Sequence, residues 1–162
     1  SRLIIVDTRV ASRLGPFKEI VTSGKVKIHI YDHHPVPHKE DSIKAELEII
    51  EEVGATATIF TEIIKKQNIP ITPMDATIWC LGIYEETGSL RFPTTTERDL
   101  LAVAYLLRRG ANLNIVAEYT KMELTHEDFV LLNELIASAK DIIHYGIKVK
   151  IVKASRRDYV TD

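Results

Sequence analysis

The stretch "KVKIHIYDHHP", Lys25 to Pro35, decides how the rest of the chain is read. Val26, Ile28 and Ile30 fall on one face and Lys25, Lys27, His29 and Tyr31 on the other, the alternation of a strand with one face more deeply buried. The strand ends in Asp32, followed by two histidines and a proline. Upstream, "LIIVD" (Leu3 to Asp7) is a continuous apolar run with β-branched residues, the pattern of a strand covered on both faces in a parallel sheet, and it too ends in a carboxylate. Between them, "RLGPFKEIVTSG" predicts a short helix closed by Gly24, and "KAELEII" a third, weaker strand before Glu51.

After Gly54 the period changes. Ala57, Phe60, Ile63 and Ile64 recur at helical spacing as far as Asn68. Thr72, Pro73 and Asp75 form a helix start, and Thr96 with Asp99 repeats the signature ahead of "LLAVAYLLRRG", where Gly110 supplies the stop. Thr125 with Asp128 opens a last helix expected to run to about Tyr145 before Gly146, with a terminal strand "KVKIV" after it. Strands first, then helices, predict an α/β fold: a three-layer domain with a parallel sheet and helices on both faces.

Composition narrows the function classes. A chain of 162 residues, 45% hydrophobic and 27% charged, suits one packed core, and a formal charge of −2 gives no broad field for coating a polyanion. The single cysteine, Cys80, lies within the apolar run "ATIWCLGIY" and reads as a core residue of a protein in a reducing compartment, the cytoplasm. The apolar run "LLAVAYLL" (Leu100 to Leu107) is far short of the roughly 20 residues that span a bilayer, so no membrane association is expected. The opening "SRLIIVDTR" enters a strand without a polar lead-in, which suggests a piece of a longer protein.

In open parallel sheets ligands gather beyond the carboxyl ends of the strands, where Asp7 and Asp32 fall. Pro35 holds His34 out of the helical region, so both His33 and His34 can serve one site in a loop geometry. Imidazole with carboxylate suits Mn²⁺, Zn²⁺ or Fe²⁺, and a pair of such ions can activate a bridging water. The bland readings are a polar surface turn for His-His-Pro and a helix N-cap for Asp7 with Thr8. His29, His38, His126 and His144 keep bland roles in a strand, in a loop and near helix ends. Glu85 and Glu86 end an apolar helix, where partial negative charge makes acids a poor choice unless a cation or solvent offsets them.

The blocks "LIIVDTR", "IYDHHP", "GATAT" and "GIYEETGSLRFPTTT", in this order and spacing, resemble the DHH phosphoesterase family, whose triplet corresponds to Asp32, His33 and His34. The later segment is most similar to the version in bacterial proteins that join a DHH module to CBS domains and a tRNA nucleotidyltransferase or poly(A)-polymerase-like domain. The resemblance implies a Mn²⁺-dependent hydrolase with two ions, Mg²⁺ being an alternative. Asp7 would bridge the ions, His33 ligate one, His34 contact the substrate phosphate, and Asp32 lie near the metals and take part in catalysis. Glu86 stands where the family has an Asp ligand. The family's Asp-x-Asp block is expected ahead of Leu3, so the domain reads as incomplete at its N-terminus.

On that resemblance, residues 1–146 make the DHH domain, and 147–162 start a linker toward a substrate-binding domain. The implied function is hydrolysis of phosphodiester or phosphoanhydride bonds of nucleotides or short oligonucleotides by metal-bound hydroxide, within an RNA-related multidomain protein. The fragment by itself is expected to be weakly active or inactive, RNA is reached through further domains, and a homodimer is left open. The alternative is a module that no longer turns over and senses a nucleotide or positions RNA.

Overall fold

The computed structural model of the chain describes residues 1–35, 43–121 and 125–154. It contains two compact units, Ser1–Thr120 and Lys121–Asp162. His38 lies outside the described residues.

The first unit is built on β1 (Arg2–Val6), β2 (Lys27–Asp32) and β3 (Leu47–Ile50), a parallel sheet in the order β1-β2-β3. Ile5 pairs with Ile30 and Val6 with Tyr31. Between β1 and β2 run a 3-10 helix (Ala11–Phe17) and α1 (Lys18–Thr22), where one helix was expected. Pro16 offers no amide hydrogen to an α-helical ladder, and Gly15 takes φ 50, so the first part stays in 3-10 turns. These turns cover one sheet face, where Ile5, Ile28 and Ile30 pack with Ala11, Val21 and Ile43. The other face meets α2 (Thr56–Lys66), with the Phe60 ring 4.9 Å from that of Tyr31. Helices therefore lie on both sides of the sheet, as the strand pattern required.

Helices α3 (Pro73–Glu86), α4 (Glu97–Arg108) and α5 (Leu113–Tyr119) join α2 around a second apolar cluster of Ala76, Cys80, Ile83, Val103, Leu106 and Val116. Burial pushes the Cys80 thiol up to about 11, in keeping with an inert core residue. Capping boxes start α3 at Thr72 and Asp75 and α4 at Thr96 and Asp99, each side chain satisfying a backbone amide that the first helical turn leaves unpaired.

The box at Asp99 does more than cap. Its carboxylate is wholly buried. Oδ2 accepts from the Thr96 amide at 2.7 Å and the Gly54 amide at 2.8 Å, and Oδ1 accepts from the Thr58 hydroxyl at 2.5 Å. Burial raises the Asp99 pKa, but the hydrogen bonds from Thr58, Thr96 and Gly54 outweigh it and hold the carboxyl below its usual range. Gly54 cannot be replaced there, because a Cβ would sit 2.7 Å from the Thr87 methyl and 2.8 Å from Asp99 Oδ2. Next to it, Arg98 clamps Glu62 through two nitrogens, at 2.8 and 2.6 Å, and reaches Glu51 at 2.9 Å, tying α4 to α2 and to the loop after β3.

The second unit corrects one expectation. Its helix α6 (His126–Ala137) opens with the expected Thr125–Asp128 box but stops eight residues before Tyr145, and β4 (Lys140–His144) and β5 (Ile147–Ile151) follow as an antiparallel hairpin. Tyr145 (φ 49) and Gly146 (φ 78) fill the two-residue turn, whose right-handed strand twist requires positive φ at both positions. The period-two pattern of "DIIHYGIKVKI" around a Tyr-Gly pair is what the helical reading overlooked. The boundary expected after residue 146 falls inside this hairpin. No helix among the described residues is long and apolar enough to cross a membrane.

Replacing Asp99 by Asn removes the charge and leaves one acceptor oxygen for two sets of donors, the Gly54 and Thr96 amides on one side and the Thr58 hydroxyl on the other, and each mismatched buried group costs about 1–3 kcal/mol. Asp99→Asn is expected to lower Tm, by about 2–4 °C per kcal/mol in a domain of this size, measured by circular dichroism. Because the folded-state pKa of Asp99 is lowered, its stabilisation is present above the unfolded carboxyl pKa of about 4 and fades as pH falls through the folded value, so the gap to Asp99→Asn should narrow in acid.

Candidate metal centre

Asp7 follows β1 and Asp32 ends β2, so the parallel register brings both carboxylates to one edge of the sheet. The Asp7 amide continues the ladder, donating to the Tyr31 carbonyl at 2.9 Å. Asp7 then turns to φ 63, a left-handed conformation that Asp tolerates better than most residues. Its side chain is no helix cap. Oδ1 accepts instead from the hydroxyl of Thr56, the first residue of α2, at 2.7 Å.

His33 points into the same space. Its Nδ1 lies 3.0 Å from the Val53 carbonyl, which can only accept, so the ring proton sits on Nδ1 and Nε2 carries the lone pair. Nε2 is buried, has no hydrogen-bond partner among the described residues, and lies 3.6 Å from Asp7 Oδ1 and 3.6 Å from Glu86 Oε1. A buried, bare imidazole nitrogen between two carboxylates is an arrangement that a cation completes: the backbone fixes the tautomer, and the acids supply charge and oxygen ligands. One ligand atom each from Asp7, His33 and His34 lies within 4.8 Å of the others. Imidazole with carboxylate fits Mn²⁺, Fe²⁺ or Zn²⁺.

Asp32 sits differently. Its carboxylate is 1% exposed. Oδ1 accepts from the His33 amide at 2.9 Å, the His34 amide at 3.2 Å and His34 Nδ1 at 2.6 Å, while Oδ2 lies 3.6 Å from Arg9 Nε. With three donors on Oδ1, Asp32 organises the two histidines, while its buried Oδ2 faces the Arg9 guanidinium at 3.6 Å and has no hydrogen-bond partner among the described residues. Arg9 also donates from Nη2 to the His34 carbonyl at 2.6 Å. His34 is thus fixed through Nδ1 and its carbonyl, leaving Nε2 as the ring nitrogen with an unassigned partner.

Glu86 closes α3 with its side chain 44% exposed, so it faces the site and solvent together. Glu85 is exposed as well. Thr87 is buried, its hydroxyl donating to the Ile83 carbonyl at 2.5 Å and accepting from the Leu90 amide at 3.0 Å, which stops the helix and sets the position of Glu86. Arg9, Val53, Thr56 and Asp99 were not assigned roles in the site from sequence. Thr56 and Gly54 belong to the "GATAT" block, which was the available signal for this loop.

No protein-family model matches the chain. It is 41% identical over all of its 162 residues to an A-adding tRNA nucleotidyltransferase of Geobacter sulfurreducens, of whose length it spans 18%. Over 94 residues, 57% of the chain and 30% of the relative, it is 33% identical to a probable manganese-dependent inorganic pyrophosphatase of Lactobacillus delbrueckii subsp. bulgaricus. Among solved structures, an exopolyphosphatase-related protein from Bacteroides fragilis superposes with a TM-score of 0.70 at 16% identity, covering 85% of this chain and 41% of that one, a likeness of fold. Along its whole length the chain is thus similar to a stretch of an A-adding tRNA nucleotidyltransferase, and its strand-end carboxylates and Asp32 to His34 triplet agree with the DHH resemblance read from the sequence.

Proposed function

We propose that this domain is a divalent-metal phosphoesterase module that hydrolyses phosphodiester or phosphoanhydride bonds, with Mn²⁺ as its ion. The observation that carries the reading is the buried His33 Nε2, without a hydrogen-bond partner among the described residues and set 3.6 Å from each of two carboxylates. The relative named as a manganese-dependent pyrophosphatase supports both the hydrolytic chemistry and the choice of ion.

Asp7, His33 and Glu86 are the ligands in this reading. When bound, the ions lower the pKa of a water and offset charge that builds on the phosphoryl oxygens. The chain's own groups do the rest. Val53 holds the His33 tautomer, so the nitrogen lone pair stays aimed at the ion. Thr56 holds Asp7 Oδ1 and limits how far that carboxylate can swing. Asp32 fixes His34 through Nδ1–H, so Nε2 meets a phosphoryl oxygen or passes a proton to the departing one when the ring carries its second proton. Asp32 is then a positioning residue, and His34 touches substrate. Glu86 reaches His33 despite being longer than an Asp, so the reading retains it as a ligand. The intact protein is proposed to act on nucleotides or short oligonucleotides beside its nucleotidyltransferase part, since the chain spans only 18% of the relative so named.

Titration calorimetry with Mn²⁺ and hydrolysis of a chromogenic phosphodiester test the reading. The chain is expected to bind Mn²⁺, and His33→Ala to abolish binding. Glu86→Gln should weaken binding while Glu85→Gln leaves it unchanged; the reverse result would mean that the ligand is Glu85. In the intact protein, Asp32→Asn should keep most Mn²⁺ affinity and lose activity by about 10–100-fold, the usual cost of removing a group that orients a site residue.

A further inference from the structure

Two buried groups beside the metal cluster face each other without a hydrogen bond between them. Arg9 Nε and Asp32 Oδ2 lie 3.6 Å apart, on side chains 12% and 1% exposed, and neither atom has a hydrogen-bond partner among the described residues. Asp32 accepts through Oδ1, from the His33 and His34 amides and from His34 Nδ1. Among the described residues, Arg9 is the cation that stands before Oδ2.

Arg9 grips the same corner with two further atoms. Its Nη2 donates to the His34 carbonyl at 2.6 Å, and its own carbonyl accepts from the amide of the buried Ile43 at 3.1 Å. The turn that places it is local, with the Val10 amide donating to the Thr8 hydroxyl at 3.3 Å. A planar guanidinium presents its donors in a fixed fork, so one nitrogen can meet a carbonyl while another faces a carboxylate, which a single ammonium on a flexible stem cannot do. Without Arg9, Oδ2 would be a buried carboxylate oxygen with neither donor nor cation before it. Asp32 could relieve that only by turning, which breaks its three bonds through Oδ1. His34 would lose the partner of its Nδ1 and the hold on its carbonyl together. The His33 ring would not follow, because the Val53 carbonyl holds its Nδ1 at 3.0 Å.

We propose that Arg9 is a positioning residue for His34, acting through Asp32 and through the His34 carbonyl. The turn after β1 then carries both a metal ligand, Asp7, and the group that aims the substrate-facing histidine. The proposal rests on the reading of the metal centre above and adds to it a residue that touches neither ion nor substrate.

NMR of the imidazole Nδ1 protons in the metal-free, ¹⁵N-labelled chain reads the two histidines separately, with His33→Ala and His34→Ala assigning the signals. The unsubstituted chain should show both protons protected from exchange with water. Arg9→Ala should lose the His34 signal and keep that of His33. Arg9 lines a cavity of about 690 Å³ together with both histidines, so added guanidinium has a route to the vacated position. Millimolar guanidinium chloride should restore the His34 signal, and sodium chloride should not. In the intact protein, Arg9→Ala should lower kcat by about 10–100-fold with KM and Mn²⁺ affinity unchanged, and should cost little more on top of Asp32→Asn, since both act through one ring. A His34 signal that survives Arg9→Ala, loss of both signals, or failure of guanidinium to restore the one lost would overturn the proposal. So would a raised KM with kcat unchanged, which would make Arg9 a substrate contact. If Arg9→Ala loses its fold by circular dichroism, Arg9→Lys takes its place: it keeps the charge without the fork and should still lose the His34 signal alone, and a surviving signal would again overturn the proposal. An intact, unsubstituted protein that hydrolyses no phosphoester with Mn²⁺ would remove the functional reading, while the NMR comparison would still decide whether Arg9 positions His34, so the two failures are distinct.

Discussion

A single buried carboxylate, Asp99, sets the geometry on which the site depends. It begins as a helix cap and ends as the point where three segments meet: the start of α4, the first turn of α2 through Thr58, and the loop after β3 through the Gly54 amide. Desolvating a charge is costly, and four hydrogen-bonding groups are needed to make the arrangement favourable. Because Gly54 has no room for a Cβ, the loop can approach Asp99 only as built. The neighbouring Val53 carbonyl is thereby held where it receives the His33 Nδ1 proton. A chain of short contacts thus runs from a structural acid in the helical cluster to the tautomer of a histidine at the sheet edge.

The carboxylates near the site divide by exposure. Asp7 and Glu86, 52% and 44% exposed at their side chains, stay open to an incoming cation. Asp32, 1% exposed, accepts through Oδ1 from two amides and a ring nitrogen, with Oδ2 turned toward the Arg9 guanidinium at 3.6 Å. In the proposed function the open pair binds the ion and the closed acid orients His34, so similar side chains at neighbouring strand ends take different duties from their surroundings alone. The positive φ of Asp7 belongs to the same design, since it turns the side chain out of the ladder and toward Thr56.

Much of this was legible in the sequence. Two apolar strands ending in acids implied a parallel sheet with a site at its carboxyl edge, and the His-His-Pro turn marked the residues that gather there. The three capping boxes, at Thr72, Thr96 and Thr125, were readable because the signal is local and chemically specific. The duty of Asp32 was not. An Asp that bonds the amide two residues ahead is a familiar turn element, but the charge that faces its second oxygen comes from Arg9, 23 residues earlier in the chain, which no local pattern encodes. Val53 contributes through its backbone alone, so its side chain gives no hint. The hairpin β4–β5 was missed because an apolar run following a well-capped helix was allowed to extend it across the Tyr145–Gly146 turn.

The central claim is that His33 Nε2, Asp7 and Glu86 hold a divalent cation. Crystals of the chain grown with Mn²⁺, with anomalous diffraction recorded on both sides of the manganese absorption edge, locate the ion directly. The account predicts a peak within bonding distance of His33 Nε2 and of the carboxylates of Asp7 and Glu86, with Asp32 still bound to His34 Nδ1. A peak coordinated by Asp32 in place of His33, or none at this edge of the sheet under saturating Mn²⁺, would contradict it.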